Sequence, residues 1–331
     1  MYKNLRRYRK EVRKAGLDDS VLNFTPLTFI LPQDWALFVE EVRRRGDQSK
    51  WIFKPQGRSQ GRGIFIVQGY NNVKRFEPRG SGASSGQQSS SSRDQYVISE
   101  YVDRPLLIGG KKFDLRIYVL VHSYRPLVAY ISRQGFARFC NVKYDNDAIE
   151  NSEMHLTNTS LQKKSTKYAA THGNKWPLGQ MFLFLESTRG AQASARLKQS
   201  IDFTVLHSLK AVQTVMNSDQ HSFELYGYDL LIDQDLKAWL IEVNASPSLS
   251  ATTPDDRAMK TQVVHEALAL ACPEDWGDIS TRFSKHLPHR LGSFDLLFDE
   301  REELRLKIEK QRETLELNRV TSRSERKLGV V

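Results

Sequence analysis

The chain has 331 residues, 39% of them hydrophobic and 10% aromatic, a composition that excludes a mainly disordered polymer. Forty-nine Lys and Arg against 39 Asp and Glu leave +10, which favours an acidic partner (nucleic acid, phosphate, a membrane surface or an acidic protein tail) without choosing among them. No apolar run approaches the roughly 20 residues of a bilayer span, no apolar stretch of a secretory signal follows the basic opening MYKNLRRYRK, and two cysteines, Cys140 and Cys272, exclude a disulfide scaffold and point to a reducing intracellular setting.

Residues 1–16 set Leu5, Tyr8 and Val12 at helical spacing among seven lysines and arginines, which predicts a basic helix. Pro26 and Pro32 bracket a short extended piece. A helix is predicted over 34–45, with Asp34 at its acidic start and Trp35, Phe38, Val39 and Val42 as its apolar face. Residues 51–54 read as a strand ended by Pro55, and 64–67 as its hairpin partner across the basic, glycine-rich turn 57–63. Residues 79–93 are Ser, Gly and Gln with almost nothing to bury, and read as a disordered surface loop. Strand character resumes over 96–102 and 113–121, and 127–131 and 135–139 look like an antiparallel pair. Leu197, Ile201, Val205, Leu209, Val212 and Met216 share one face of a helix over 191–217. The runs 223–232 and 238–243 form a hairpin across Asp233-Gln234-Asp235. A short amphipathic helix over 258–270 and a charged surface helix or tail over 300–317 complete the pass.

Several polar residues interrupt this apolar pattern. Glu242 and Asn244 lie two apart on one strand and so share a face, and the hairpin can set Asp229 beside them. Such oxygens suit Mg²⁺, a hard cation that shares its ligands with phosphate; the alternative is the solvent-facing side of an amphipathic hairpin. Lys54 ends a strand before the glycine-rich turn, where a point charge and backbone N–H groups can hold phosphate. That turn is neither a Walker A loop nor a dinucleotide fingerprint, and a solvated turn explains it as well. Lys112, Asp114 and Arg116 alternate along one strand, either lining a site or forming a salt-bridged sheet surface. Arg138 can grip a carboxylate bidentately or serve a structural ion pair. His155, Leu156, Thr157 and Asn158 offer clustered donors, unless His155 is a packed core histidine. No Ser-His-Asp, HExxH or CxxC pattern is present.

In chain order, WIFKPQGRSQGRGIFI, PLLIGGKKFDLRIYVLV, HLTN and YGYDLLIDQDLKAWLIEVNASPSL resemble the tubulin tyrosine ligase-like family, in particular its polyglutamylase branch, up to about Pro273. The resemblance implies an α+β ATP-grasp fold, two lobes clamping the nucleotide. Its expected parts are a partial, N-terminally truncated lobe over 1–50, a central or lid lobe over 51–110 with the 79–93 insertion, a C-terminal catalytic lobe over 111–273 and a charged extension over 274–331. It implies ATP and Mg²⁺ as cofactors, with the acidic C-terminal tail of tubulin, microtubules, free L-glutamate and accessory subunits as partners, and neither nucleic acid nor membrane. The expected setting is cytoplasm and cytoskeleton, including the axoneme and basal body of a cilium or flagellum. The implied reaction is ATP-dependent ligation of glutamate to glutamate side chains through an acylphosphate; glycine ligation or a truncated, non-catalytic microtubule- or cilium-associated scaffold are the alternatives. Carried over by motif, Lys3, Lys54, Ser99, Glu100, Tyr101, Val102, Lys112, Asp114, His155, Leu156, Thr157 and Asn158 contact nucleotide. Arg116, Arg138 and Lys54 serve catalysis, and Asp229, Glu242 and Asn244 hold Mg²⁺.

Overall fold

The computed structural model describes residues 1–58, 61–77, 95–163, 165–166, 174–217, 222–271 and 287–327, with side chains up to 312 and at 314. The 79–93 stretch and the Ser59-Gln60 tip of the first hairpin lie outside the described residues. Every strand pairing among the described residues is antiparallel.

The first part contains α1 (Tyr2–Lys14), β1 (Thr28–Ile30), α2 (Trp35–Arg45), β2 (Lys50–Pro55), β3 (Phe65–Gln68), α3 (Tyr70–Val73) and β4 (Tyr96–Glu100). Its four strands pair in the order β1-β4-β2-β3, and the expected β2–β3 hairpin is present. Alternate residues Trp51 and Phe53 of β2 turn to one face and meet Phe38 of α2 edge-on, at ring distances of 5.1 and 6.0 Å. Phe29 and Ile98 complete this core. Asp34 stands at the start of α2 without capping it. Its carboxylate reaches back instead, accepting from the Ile30 N–H at 2.9 Å and from Arg6 at 3.1 Å, which ties α1 to β1.

The second part contains β5 (Leu107–Ile108), β6 (Lys111–Tyr124), β7 (Leu127–Phe139), α4 (Ser152–His155), α5 (Thr159–Gln162), β8 (Lys175–Pro177), α6 (Leu178–Arg189), α7 (Ala191–Gln213), β9 (Glu224–Ile232), β10 (Ala238–Asn244), α8 (Pro254–Ala271), β11 (Arg290–Leu291), β12 (Phe294–Asp299) and α9 (Glu300–Lys327). The strand order is β10-β9-β6-β7-β12-β11, with β5 joined to β6 and β8 to β7. Phe113, Leu115, Ile117 and Val119 of β6 face one way and pack with Leu197, Ile201 and Val205 of α7 and with Leu5 of α1. On the opposite face Tyr118 and Leu120 pack with Val263, Ala267 and Leu270 of α8. Toward the start of β6 that second face carries Lys112, Asp114 and Arg116. Helix α8 starts earlier than its apolar pattern suggests, because Thr253 accepts the Asp256 N–H at 3.2 Å and Pro254 fits the first turn.

One expectation is overturned. Residues 127–131 and 135–139 do not pair with each other; both belong to β7 and both pair with β6. The intervening residues form a bulge rather than a reversal, as pairing passes from Val119 opposite Ile131 to Ile117 opposite Gly135. Ser132 Oγ accepts the Gln134 N–H at 3.1 Å, and the Arg133 N–H donates to Ser293 O at 2.8 Å, so the bulge is held from both sides. Past it the strands approach so closely that a Cβ on Gly135 would lie 2.3 Å from the Arg116 carbonyl oxygen. Gly135→Ala is therefore expected to cost about 1–3 kcal/mol of stability, read by chemical denaturation, and to displace Arg116.

The ends of the chain join the sheets in ways that composition did not suggest. Leu5, Leu22 and Phe24 belong to the core of the larger sheet, whereas Phe29 and Phe38 belong to that of the smaller, so residues 1–50 serve both. Within 274–331, β12 adds to the larger sheet beside β7, with Phe294 fully buried. Helix α9 runs to Lys327, beyond the expected end at 317.

Candidate active site

A cavity lies where the two sheets meet, and it gathers most of the residues singled out in the sequence. Lys54 comes from β2, and Ser99 and Glu100 from β4, with Tyr101 and Val102 after it. Lys112, Asp114, Arg138 and Asp229 come from the larger sheet, Glu242 from β10, and His155, Leu156, Thr157 and Asn158 from the α4–α5 segment. Arg116 and Asn244 do not line the cavity but bond to residues that do. Lys3 is exposed on α1; its neighbour Tyr2 lines the cavity instead, its hydroxyl donating to Ile241 O at 3.3 Å.

Sheet register builds the charged centre. Glu242 stands opposite Asp229, Asp229 opposite Arg116, and Asp114 opposite Arg138, which brings four strands into one row of charge. Arg116 grips Asp229 bidentately at 2.6 and 3.1 Å. Arg138 grips Asp114 at 2.8 and 2.5 Å and reaches Asp229 at 2.8 Å. All four side chains are nearly buried. Burial pushes the Asp229 carboxyl up, but Arg138 and Arg116 together outweigh it and hold Asp229 below the usual carboxylate range. Burial likewise works against the Arg138 charge, and Asp114 and Asp229 more than restore it. Both readings of the β6 charges thus hold at once: the side chains form a buried salt-bridge network, and that network lines a cavity.

A second group of bonds secures the neighbouring wall. Lys112 Nζ donates to the Tyr101 hydroxyl at 2.9 Å, Tyr101 bonds His155 Nδ1 at 2.7 Å, and His155 Nε2 lies 2.9 Å from Ala148 O. With Nε2 as the donor to Ala148, Nδ1 accepts from Tyr101, and each proton in the chain has a place. His155 is 2% exposed, so it is a packed histidine and a cavity-lining one. Burial, opposed only in part by Cys140 and Asp114, pushes the Lys112 ammonium down to about 8.

Register sets Asp229 of β9 beside Glu242, two residues from Asn244 at the end of β10, so that oxygen donors of the type a hard cation takes lie together. Asn244 donates to Glu242 Oε1 at 3.1 Å and to Gly227 O at 3.2 Å. Glu242 keeps a solvent-exposed side at the cavity surface, and the partial desolvation of its carboxyl, together with the charge of and hydrogen bond to the facing Asp229, raises it above its ordinary value. Two such carboxylates repel, and a divalent cation relieves that repulsion. Among the described residues no group of three or more His, Cys, Asp and Glu side chains forms a metal cluster. A cation here would therefore need the Asn244 amide as well as Asp229 and Glu242, and water or phosphate oxygens to complete its shell.

The family model for the tubulin-tyrosine ligase family matches residues 1–278. The chain belongs to that family. Among its relatives, the "Probable alpha-tubulin polyglutamylase Ttll1" of Tetrahymena thermophila is 42% identical over 320 residues, covering 92% of this chain and 76% of that protein. The "Probable tubulin polyglutamylase TTLL9" of Bos taurus is 40% identical over 326 residues, covering 91% and 69%. The human "Tubulin polyglutamylase TTLL5" is 35% identical over 275 residues, covering 78% of this chain and 20% of that protein. In this member of the family the cavity also has walls that the sequence reading did not single out. Ile52, Ile64, Leu231 and Ile241 supply its apolar surface. The one local signal for them was parity, since Ile52 shares a strand face with Lys54.

Proposed function

We propose that this tubulin-tyrosine ligase family member is an ATP-dependent polyglutamylase that joins free glutamate to glutamate side chains in the acidic C-terminal tail of tubulin. The observation that carries the reading is the single cavity in which Lys54, Lys112, Asp114, Arg138, Asp229 and Glu242 converge from two sheets. The names of the relatives agree with it. The two sheets correspond to the lobes of an ATP-grasp fold. When bound, Mg²⁺ and ATP supply the phosphoryl group that activates the acceptor carboxylate as an acylphosphate, from which the glutamate amine displaces phosphate.

The residues of this chain then have separate tasks. Ile52, Ile64, Leu231 and Ile241 give the purine an apolar slot, and the backbone of Glu100, Tyr101 and Val102 offers it hydrogen bonds. Lys54 and Lys112 neutralise phosphate oxygens, with Thr157 and Asn158 as further polar contacts. Arg138, already oriented by carboxylates, stabilises the transferring phosphoryl and the carboxylate substrates without reorganising, and Arg116, behind the cavity wall, serves the same step by holding Asp229 in place. Asp229, Glu242 and Asn244 would hold Mg²⁺. No side chain is required as a covalent nucleophile. The basic surplus steers the chain to the acidic tails of the microtubule cytoskeleton, cilia and flagella included. No described helix is long and apolar enough to cross a membrane.

The test is incorporation of labelled glutamate and glycine, offered together to tubulin with and without ATP. ATP-dependent labelling by glutamate in excess of glycine is expected; a preference for glycine, or no labelling, overturns the reading. A pH dependence accompanies it. Lys112 carries its proton below about 8 and loses it as pH rises through that value. Bound phosphate favours the charged form, so nucleotide binding takes up a proton there and ATP affinity should weaken as pH rises past 8. Calorimetric titrations across this range check the slope, which Lys112→Arg should flatten.

A further inference from the structure

Arg138 lines the cavity described above, and directly across the β7–β8 pairing stands Lys175, which lines a second cavity of about 1190 Å³. Lys175 Nζ donates to Asp256 Oδ2 at 2.8 Å and to Thr252 Oγ1 at 3.2 Å. Lys260, one turn along α8 from Asp256, donates to Ser250 O at 2.5 Å and lies 3.2 Å from Asp256 Oδ1. Both ammonium groups sit over the Phe136 ring, at 4.6 and 5.7 Å. Two nearly buried cations therefore share one carboxylate, and one positive charge is in surplus. A surplus buried positive charge disfavours the folded state unless an anion completes it.

We propose that Lys175 seats the side-chain carboxylate of the incoming glutamate and thereby selects glutamate over glycine. This rests on the polyglutamylase reading. The attacking amine must lie beside the activated carbonyl near Arg138, which leaves Arg138 within reach of the α-carboxylate. Opposed residues of antiparallel strands are about 4.5–5.5 Å apart. That is a Cα spacing, and the two carboxylates of glutamate, separated by three carbons, span a similar distance, so a glutamate reaching from the cavity that Arg138 lines into the one that Lys175 lines would meet both. Lys260 stays with Asp256 and Ser250 while Lys175 takes the second carboxylate. Glycine has no side-chain carboxylate and gains nothing from Lys175.

The test is the KM for glutamate in ATP-dependent labelling of tubulin, a quantity that does not depend on how much of a preparation is folded. The substitution Lys175→Gln removes the surplus charge, leaves Lys260 paired with Asp256 and keeps a hydrogen-bonding group, and a thermal melt checks its fold. It is expected to raise the glutamate KM about tenfold or more while kcat changes little. Lys175→Arg alone should keep KM near that of the parent. Glutamine, uncharged but of the same shape, should compete with glutamate in the unaltered chain at least about tenfold more weakly than glutamate itself. An unchanged KM in Lys175→Gln overturns the proposal, and so does glutamine competing as well as glutamate, an outcome that needs no variant. A parent chain that labels tubulin with no glutamate overturns the polyglutamylase reading instead.

Discussion

Replacing Asp229 with alanine is expected to cost about 3–5 kcal/mol of folding stability and to abolish glutamate ligation. Asp229 is 4% exposed, and its carboxylate accepts from Nε and one Nη of Arg116 as well as from Arg138. Alanine leaves the Arg116 guanidinium buried without that partner and Arg138 with Asp114 alone. The penalty is the desolvation of a stranded charge, which exceeds the net worth of the pair. Asp229→Asn, which keeps the shape and a hydrogen-bond acceptor, should fall between parent and alanine variant. The sign of the pH effect follows from the depressed carboxyl. Its stabilisation is fully present above the unfolded carboxylate value of about 3.9, and is lost as pH falls through the lower folded value. Urea denaturation across acid pH reads both effects, and an alanine variant as stable as the parent would show that the arginine network does not hold β6 to β9.

Glu242→Ala should behave in the opposite way. Its side chain is partly open to solvent, its carboxyl is raised by partial desolvation and by the facing Asp229, and its other hydrogen-bond partner, Asn244, lies on the same strand. Removing it relieves repulsion and strands no cation, so stability should stay within about 0.5 kcal/mol. Activity should nevertheless fall roughly 10²–10³-fold, as when a charge-stabilising group is removed from a reacting site. The Mg²⁺ concentration needed for half-maximal rate should rise in Glu242→Gln, which keeps one oxygen but loses the charge. Glutamate incorporation titrated with Mg²⁺, alongside a thermal melt, checks both quantities. Activity near that of the parent would remove Glu242 from the metal site. The pair of variants separates two neighbours only one β-bridge apart, one that holds the fold and one that serves the chemistry.

Much of this was written locally. The alternation of Lys112, Asp114 and Arg116 put three charges on one face of β6, and the spacing of Glu242 and Asn244 did the same on β10, because side chains on a strand alternate whatever the strand pairs with. Apolar periodicity likewise identified α1, α2 and α7, and the polar turn at Asp233 identified the β9–β10 hairpin. Other features had no local sign. Whether Ser132-Arg133-Gln134 reverses the chain or bulges depends on Ser293, 160 residues away, accepting the Arg133 N–H. The strand at Phe294 needed the exposed edge of β7 to pair with, and Tyr2 rather than Lys3 reaches the cavity because α1 packs Leu5 against the larger sheet.

The sequence by itself determined which residues could share a face, since 3.6- and 2-residue periods are properties of the backbone alone. It also determined the net charge of +10 and the family. Only the tertiary structure decided that Asp229 lies between Arg116 and Arg138, and that Lys175 shares Asp256 with Lys260. Those pairings join residues up to 113 positions apart. Cross-strand register sets them, and burial of the two sheet faces sets the register, because a slip of one residue would turn the charges into the core and the core into water.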